Sequence, residues 1–252
     1  MTPAFGALRI FDDAEALAQA GARFVCERAE ATTGSFTLCL SGGSTPRPLY
    51  EALAAPPLLE RFPWSRTQFV FGDERFVAWD DPASNARMVT EAMFSRAPVP
   101  SENVHRIPTV GMTPGQAAVQ YERTLRAMHG RHCLTSERPL LDVCLLGVGD
   151  DGHTASLLPD TAVLDVRDRW VAVVAQGHPQ TRITLTYPAL ESSRAVVFLL
   201  QGEGKRAILD RLLCGDDTVP AGRLRPIGEV LWFVDRAAAQ HWAPVMISGT
   251  EA

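Results

Sequence analysis

Phe36-Thr-Leu-Cys-Leu-Ser-Gly-Gly-Ser-Thr-Pro-Arg-Pro48 decides the fold class. Five β-prone residues, Phe36 to Leu40, run into a polar glycine turn, Ser41 to Thr45. Pro46 and Pro48 follow, and they suit a first helical turn because its N–H groups have no intrahelical partners to lose. The order is strand, glycine loop, helix, and it recurs. Thr67 to Phe71 reads as a strand, followed by a polar loop at Gly72-Asp-Glu-Arg75 and a helix from about Ser84 to Phe94. Leu141-Asp-Val-Cys-Leu-Leu146 is the most strand-like run in the chain, and it empties into Gly147-Val-Gly-Asp-Asp-Gly-His153. Asp12 and Asp13 cap an alanine-rich helix over 14–31, and Thr113-Pro114 opens another that runs to about Met128. Further strands are expected near 170–175, 182–186, 195–200 and 230–234, with a helix over 204–213 between the last two. Strands alternating with helices predict α/β architecture: a single doubly wound domain, a mostly parallel β-sheet with helices on both faces. In such sheets ligands bind beyond the carboxyl ends of the strands, where the three polar glycine-containing loops can meet.

The chain has 252 residues, enough for one large domain or two small ones at about 150 residues each. No repeat, low-complexity tract or long linker divides it, so one domain over 1–252 is the simpler expectation. Apolar residues make up 46% and charged residues 21%, which excludes a disordered or fibrous chain. With 24 basic and 29 acidic residues the net charge is −5, which argues against a protein that coats nucleic acid or an anionic membrane. An anionic ligand must therefore meet a local basic pocket. All but one of the basic residues are arginine; the single lysine is Lys205. The five cysteines form no C-x-x-C pair, so neither a disulfide framework nor a zinc ribbon is expected. Met1 to Ile10 has no basic stretch leading into an apolar run, and no later segment is apolar enough to span a bilayer. The cytoplasm is the expected location.

Three loops carry candidate chemistry. In Ser41-Gly42-Gly43-Ser44-Thr45 the glycines allow close backbone approach, and the hydroxyls and the helix start add donors. The loop is either a phosphate or oxyanion cradle or an ordinary strand-to-helix turn, and no Gly-Lys-Ser/Thr makes it a Walker loop. Gly147-Val-Gly149-Asp-Asp-Gly152 matches G-x-G-x-x-G, but Asp150 and Asp151 put negative charge where a pyrophosphate would lie, and Pro159 cuts short any following helix. His153 ends this loop at a predicted strand terminus, with Asp151 placed to fix its tautomer. No serine stands in G-x-S-x-G, so the histidine would activate water rather than a serine nucleophile. Asp73-Glu74-Arg75 is either a solvated turn or an acid and a guanidinium at the ligand edge. Arg182 and Lys205 are surface charges or anion ligands, and Ser84 and Asn85 are a helix cap or ligand contacts.

Taken together, Leu40-Ser-Gly-Gly-Ser-Thr-Pro46, Gly72-Asp-Glu-Arg75, Ser84-Asn85, Gly147-Val-Gly-Asp-Asp-Gly-His-Thr-Ala-Ser-Leu-Leu-Pro159, Arg182 to Thr186 and Lys205 resemble the 6-phosphogluconolactonase family. The resemblance covers about residues 35 to 213. It implies hydrolysis of 6-phospho-D-glucono-1,5-lactone to 6-phospho-D-gluconate in the pentose phosphate pathway, with no metal or organic cofactor. It also implies a phosphosugar lactone as the small-molecule partner, no nucleic acid or membrane partner, and a monomer or small homo-oligomer. On that basis His153 is the general base, Asp151 its organiser and Arg75 an oxyanion donor. Gly42, Gly43, Ser44, Thr45, Asp73, Arg75, Asn85, Gly152, Arg182 and Lys205 contact the substrate, with Arg182 and Lys205 on the phosphate. The glucosamine-6-phosphate deaminases are similar but carry a proton-transferring glutamate five residues after the histidine, where this chain has Leu158, and usually a tyrosine where it has Arg75. A phosphosugar sensor of the same fold is a third alternative, and it is expected to lose His153 or its setting.

Overall fold

The computed structural model describes residues 6–240 and Trp242. Of the opening stretch Met1 to Ile10, the first five residues lie outside that range, as do His241 and 243–252 of the span assigned to one domain. Ten strands occur among the described residues: β1 (Ala7–Phe11), β2 (Phe36–Leu40), β3 (Thr67–Phe71), β4 (Asp73–Arg75), β5 (Val104–His105), β6 (Leu141–Gly147), β7 (Val171–Val174), β8 (Arg182–Leu185), β9 (Ser193–Leu200) and β10 (Glu229–Asp235). Seven form a wholly parallel sheet in the order β1-β10-β9-β6-β2-β3-β5, and β4, β8 and β7 form a small antiparallel sheet.

The central strands are apolar on both faces. Leu38 and Leu40 alternate with Cys39, and Val143 and Leu145 with Cys144 and Leu146; all are buried. Successive side chains point to opposite faces, so both faces of the sheet are covered, as a doubly wound fold requires. One apolar cluster runs from Leu8 to Trp242. The two longest helices follow their sequence signals. Ala14–Ala31 starts where the Asp13 carboxylate accepts from the Ala16 amide, and Pro114–His129 starts in a capping box between Thr113 and Gln116. No described helix is long and apolar enough to cross a membrane.

Three expectations are corrected. Asp73–Arg75 is a short strand rather than a loop, because β8 lies antiparallel beside it. The strands near 170–175 and 182–186 do not join the parallel sheet. Only a short loop links them, whereas a parallel pair needs a crossover of about a dozen residues or more, so they close as a hairpin. The helix from Asn85 changes to a π turn over Thr90–Phe94. β1 and the two-residue β5, both at sheet edges, have no signal in the sequence reading.

The strand order places the site. From β2 the chain moves outward to β3 and β5, then returns to β6 on the other side of β2 and continues to β9 and β10. The loops leaving β2 and β6 therefore diverge, which opens a crevice at the carboxyl ends of these neighbours. Their ladder pairs Leu38 with Val143 and Cys39 with Cys144 and goes no further, while β6 stays paired with β9 as far as Gly147 and Leu199. Loops 41–46 and 147–153 flank that opening.

Candidate active site

At the crevice lies a cavity of about 310 Å³. It is lined from the first loop by Gly42, Gly43, Ser44 and Thr45, from the second by Gly149 and His153, and from the small sheet and its neighbours by Asp73, Arg75, Asn85, Arg182 and Lys205. Residues separated by more than 160 positions are thus brought to one opening. Asp151 and Gly152 do not line it. Gly152 closes the turn by donating its amide to Gly149 O at 2.9 Å, and the Asp151 carboxylate is bonded to His153.

His153 is held tightly. Its Nδ1 lies 2.6 Å from Asp151 Oδ1, which also accepts the His153 amide at 3.1 Å. An ionised carboxylate accepts only, so Nδ1 carries the proton and Nε2 of the neutral ring is left unprotonated. Burial pushes the Asp151 carboxyl up, but the hydrogen bonds from the amide and ring of His153 together outweigh it and leave the pKa lowered. Gly149 packs beneath the ring: a Cβ there would lie 2.2 Å from His153 Cε1 and Nδ1. His178, on the loop between β7 and β8, sets its ring edge-on to His153 at 5.8 Å. Burial, then the positive charge of Arg182, lowers its pKa.

Positive charge gathers on the small sheet. Arg75 and Arg182 are directly opposite each other across the β4–β8 pair, where like charges repel. Arg75 gives Nη1 to Ala83 O at 2.6 Å, while Arg182 Nη1 comes only within 3.8 Å of Asp73 Oδ2. The Nε atoms of both arginines are buried without a hydrogen-bond partner among the described residues. Burial lowers the pKa of Arg182, and the Asp73 charge opposes that fall. A bound anion would satisfy the unused donors and relieve the repulsion. In the first loop the Tyr50 hydroxyl takes up both the amide and the carbonyl of Ser41. Among the described residues none of the Gly42, Gly43, Ser44 or Thr45 amides donates a hydrogen bond, so that edge of the cavity offers N–H groups to a ligand.

The acids of the Asp-Glu-Arg strand are buried organisers. Asp73 accepts the Ser156 hydroxyl at 2.6 Å. Glu74 accepts the Arg75 and Asn85 amides on one oxygen, and the Ala86 amide and the Ser84 hydroxyl on the other. Burial raises the pKa of Glu74, against the hydrogen bonds from the Ala86, Asn85 and Arg75 amides. Ser84 is also the cap of the helix that follows, accepting from the Arg87 amide, and Asn85 gives Nδ2 to Asp73 O at 3.0 Å. Glu74→Gln would turn an NH₂ group toward two donors, so we expect a loss of about 1–3 kcal/mol in urea unfolding. A lower kcat/KM should accompany it, because Asn85 moves with its helix.

A family model described as glucosamine-6-phosphate isomerases/6-phosphogluconolactonase matches residues 12–232. This chain belongs to that family. Members similar to it include a 6-phosphogluconolactonase from Nostoc sp., 44% identical over 81% of this chain and 84% of that one. The human 6-phosphogluconolactonase is 35% identical over 94% of both. The crystal structure of 6-phosphogluconolactonase from Thermotoga maritima superposes with a TM-score of 0.77 at 33% identity, covering 91% of this chain and 99% of the other. Within the family fold, sequence reasoning missed three groups near the site. Glu74 looked like part of a solvated charged turn, His178 stood in a plain loop, and Asp150 counted only as unwanted charge in a dinucleotide fingerprint. Among the described residues no group of three His, Cys, Asp or Glu side chains is arranged to hold a metal ion.

Proposed function

We propose that the chain hydrolyses 6-phospho-D-glucono-1,5-lactone to 6-phospho-D-gluconate, with His153 as general base, in the cytoplasm and as a monomer or small homo-oligomer. The names of the relatives support the substrate. The observation that carries the chemistry is the His153–Asp151 pair at the rim of a cavity whose other walls hold Arg75, Arg182 and Lys205. His153 Nε2 takes a proton from water as the water oxygen bonds to the lactone carbonyl carbon. The carbonyl electron pair moves to oxygen, where Arg75 and the free amides of Gly42 and Gly43 meet the developing charge. When that pair returns, the bond to the ring oxygen breaks and the imidazolium gives its proton to the departing oxygen. Arg182 and Lys205 hold the phosphate.

The deaminase alternative lacks its proton carrier. Leu158 stands where the deaminases have glutamate, is buried among apolar neighbours, and does not line the cavity. A sensor needs no pinned histidine. The test pairs two assays on one preparation: lactone hydrolysis coupled to 6-phosphogluconate dehydrogenase, and ammonia release from glucosamine 6-phosphate. Hydrolysis above the spontaneous rate without ammonia is expected; ammonia without hydrolysis would reverse the assignment.

A further inference from the structure

The turn Gly149-Asp150-Asp151-Gly152 carries two adjacent carboxylates that serve different partners. Asp151 holds His153. Asp150 reaches across the rim of the cavity to Lys205, with Oδ1 2.5 Å from Nζ. The lysine side chain is 26% exposed and the aspartate side chain 80%, so this is an ion pair at the water boundary rather than a buried lock. Lys205 is also the chain's single lysine, and it lines the cavity. Its ammonium is a compact charge on a flexible stem, able to exchange one oxygen anion for another.

We propose that Asp150 is an internal competitor for the substrate's phosphate: its carboxylate occupies Lys205 in the free protein, yields to the phosphoryl dianion on binding, and returns as product leaves. The proposal rests on Lys205 being a phosphate ligand. Hydrolysis turns a neutral lactone into a carboxylate, so the product carries one more negative charge than the substrate. A cavity with Arg75, Arg182 and Lys205 on its walls would hold that product too well. A carboxylate tethered beside Lys205 lowers affinity for both anions alike and so speeds release of the product. An exposed pair of this kind contributes up to about 1 kcal/mol, which corresponds to roughly a two- to fivefold change in binding.

The experiment compares wild type, Asp150→Asn, Lys205→Ala and the double variant. It reads KM for the phosphorylated lactone, KM for unphosphorylated glucono-1,5-lactone, and inhibition constants for 6-phosphogluconate and inorganic phosphate. Asp150→Asn is expected to lower KM for the phosphorylated lactone and both inhibition constants by about two- to fivefold. KM for the unphosphorylated lactone should stay unchanged. In the Lys205→Ala background the same substitution should have at most half that effect. If Asp150 only shapes the turn, both lactones change together and the proposal fails. If Lys205→Ala raises the inhibition constants but Asp150→Asn leaves them unmoved, the proposal fails while the phosphate assignment stands. If Lys205→Ala leaves them unmoved too, the phosphate assignment has failed first.

Discussion

His153→Ala should lower kcat for lactone hydrolysis by about 100- to 10,000-fold and leave KM within about twofold. The asymmetry follows from position. In the proposed mechanism the imidazole acts on water in the transition state, whereas the cations assigned to the substrate sit on other elements, the β4–β8 pair and the start of the helix Arg206–Leu213. The ring is not deeply buried, with 24% of the side chain exposed, so its removal should cost little stability. Turnover of the lactone is the readout, corrected for spontaneous opening. Near-normal kcat would remove His153 as the base, and a kcat and KM that worsen together would make it a binding group instead. Asp151→Asn should reproduce part of the loss, because an amide that presents its NH₂ to Nδ1 favours the tautomer with Nε2 protonated.

Gly42→Ala should reduce kcat/KM by about 100- to 1,000-fold, the size of losing one oxyanion donor, through a single added methyl group. A Cβ at this position would lie 1.9 Å from Asn85 Oδ1 and 2.3 Å from its Cγ. Asn85 cannot swing away cheaply: it is buried, its side chain bonds to the Asp73 carbonyl, and its amide bonds to Glu74. The loop must give instead, carrying the Gly42 and Gly43 amides off target. Steady-state kinetics of Gly42→Ala beside Gly42→Ala/Asn85→Ala separates this from general damage. The second substitution clears the overlap and should restore part of the activity. If the double variant is no better than the single, the overlap with Asn85 is not the cause.

These predictions draw on different amounts of sequence information. The parallel sheet was legible because β2, β3 and β6 are short apolar runs that end in glycine or polar turns, a local signal that survives without any tertiary contact. His153, Arg75 and the 41–45 loop stood out for the same reason, since each lies in the polar stretch that follows one of these strands. The antiparallel pairing of β4 with β8 was not, because a three-residue strand has no period of its own and exists only through its partner. With that pairing came the facing arginines, which no spacing between positions 75 and 182 announces. Glu74 is a similar case: its four donors come from Arg75, Ser84, Asn85 and Ala86, and only the fold turns an apparently solvated acid into a buried anchor. The contact between His178 and His153 depends on how a seven-residue loop closes, which composition does not specify.

The most direct test is a crystal structure of the protein with 6-phosphogluconate bound. The phosphate is expected between Arg182 and Lys205, with the Asp150 carboxylate displaced. The C1 carboxylate is expected within hydrogen-bond reach of His153 Nε2 and the Gly42 and Gly43 amides. A product bound with its phosphate at His153, or bound outside the crevice between the two glycine loops, would contradict it.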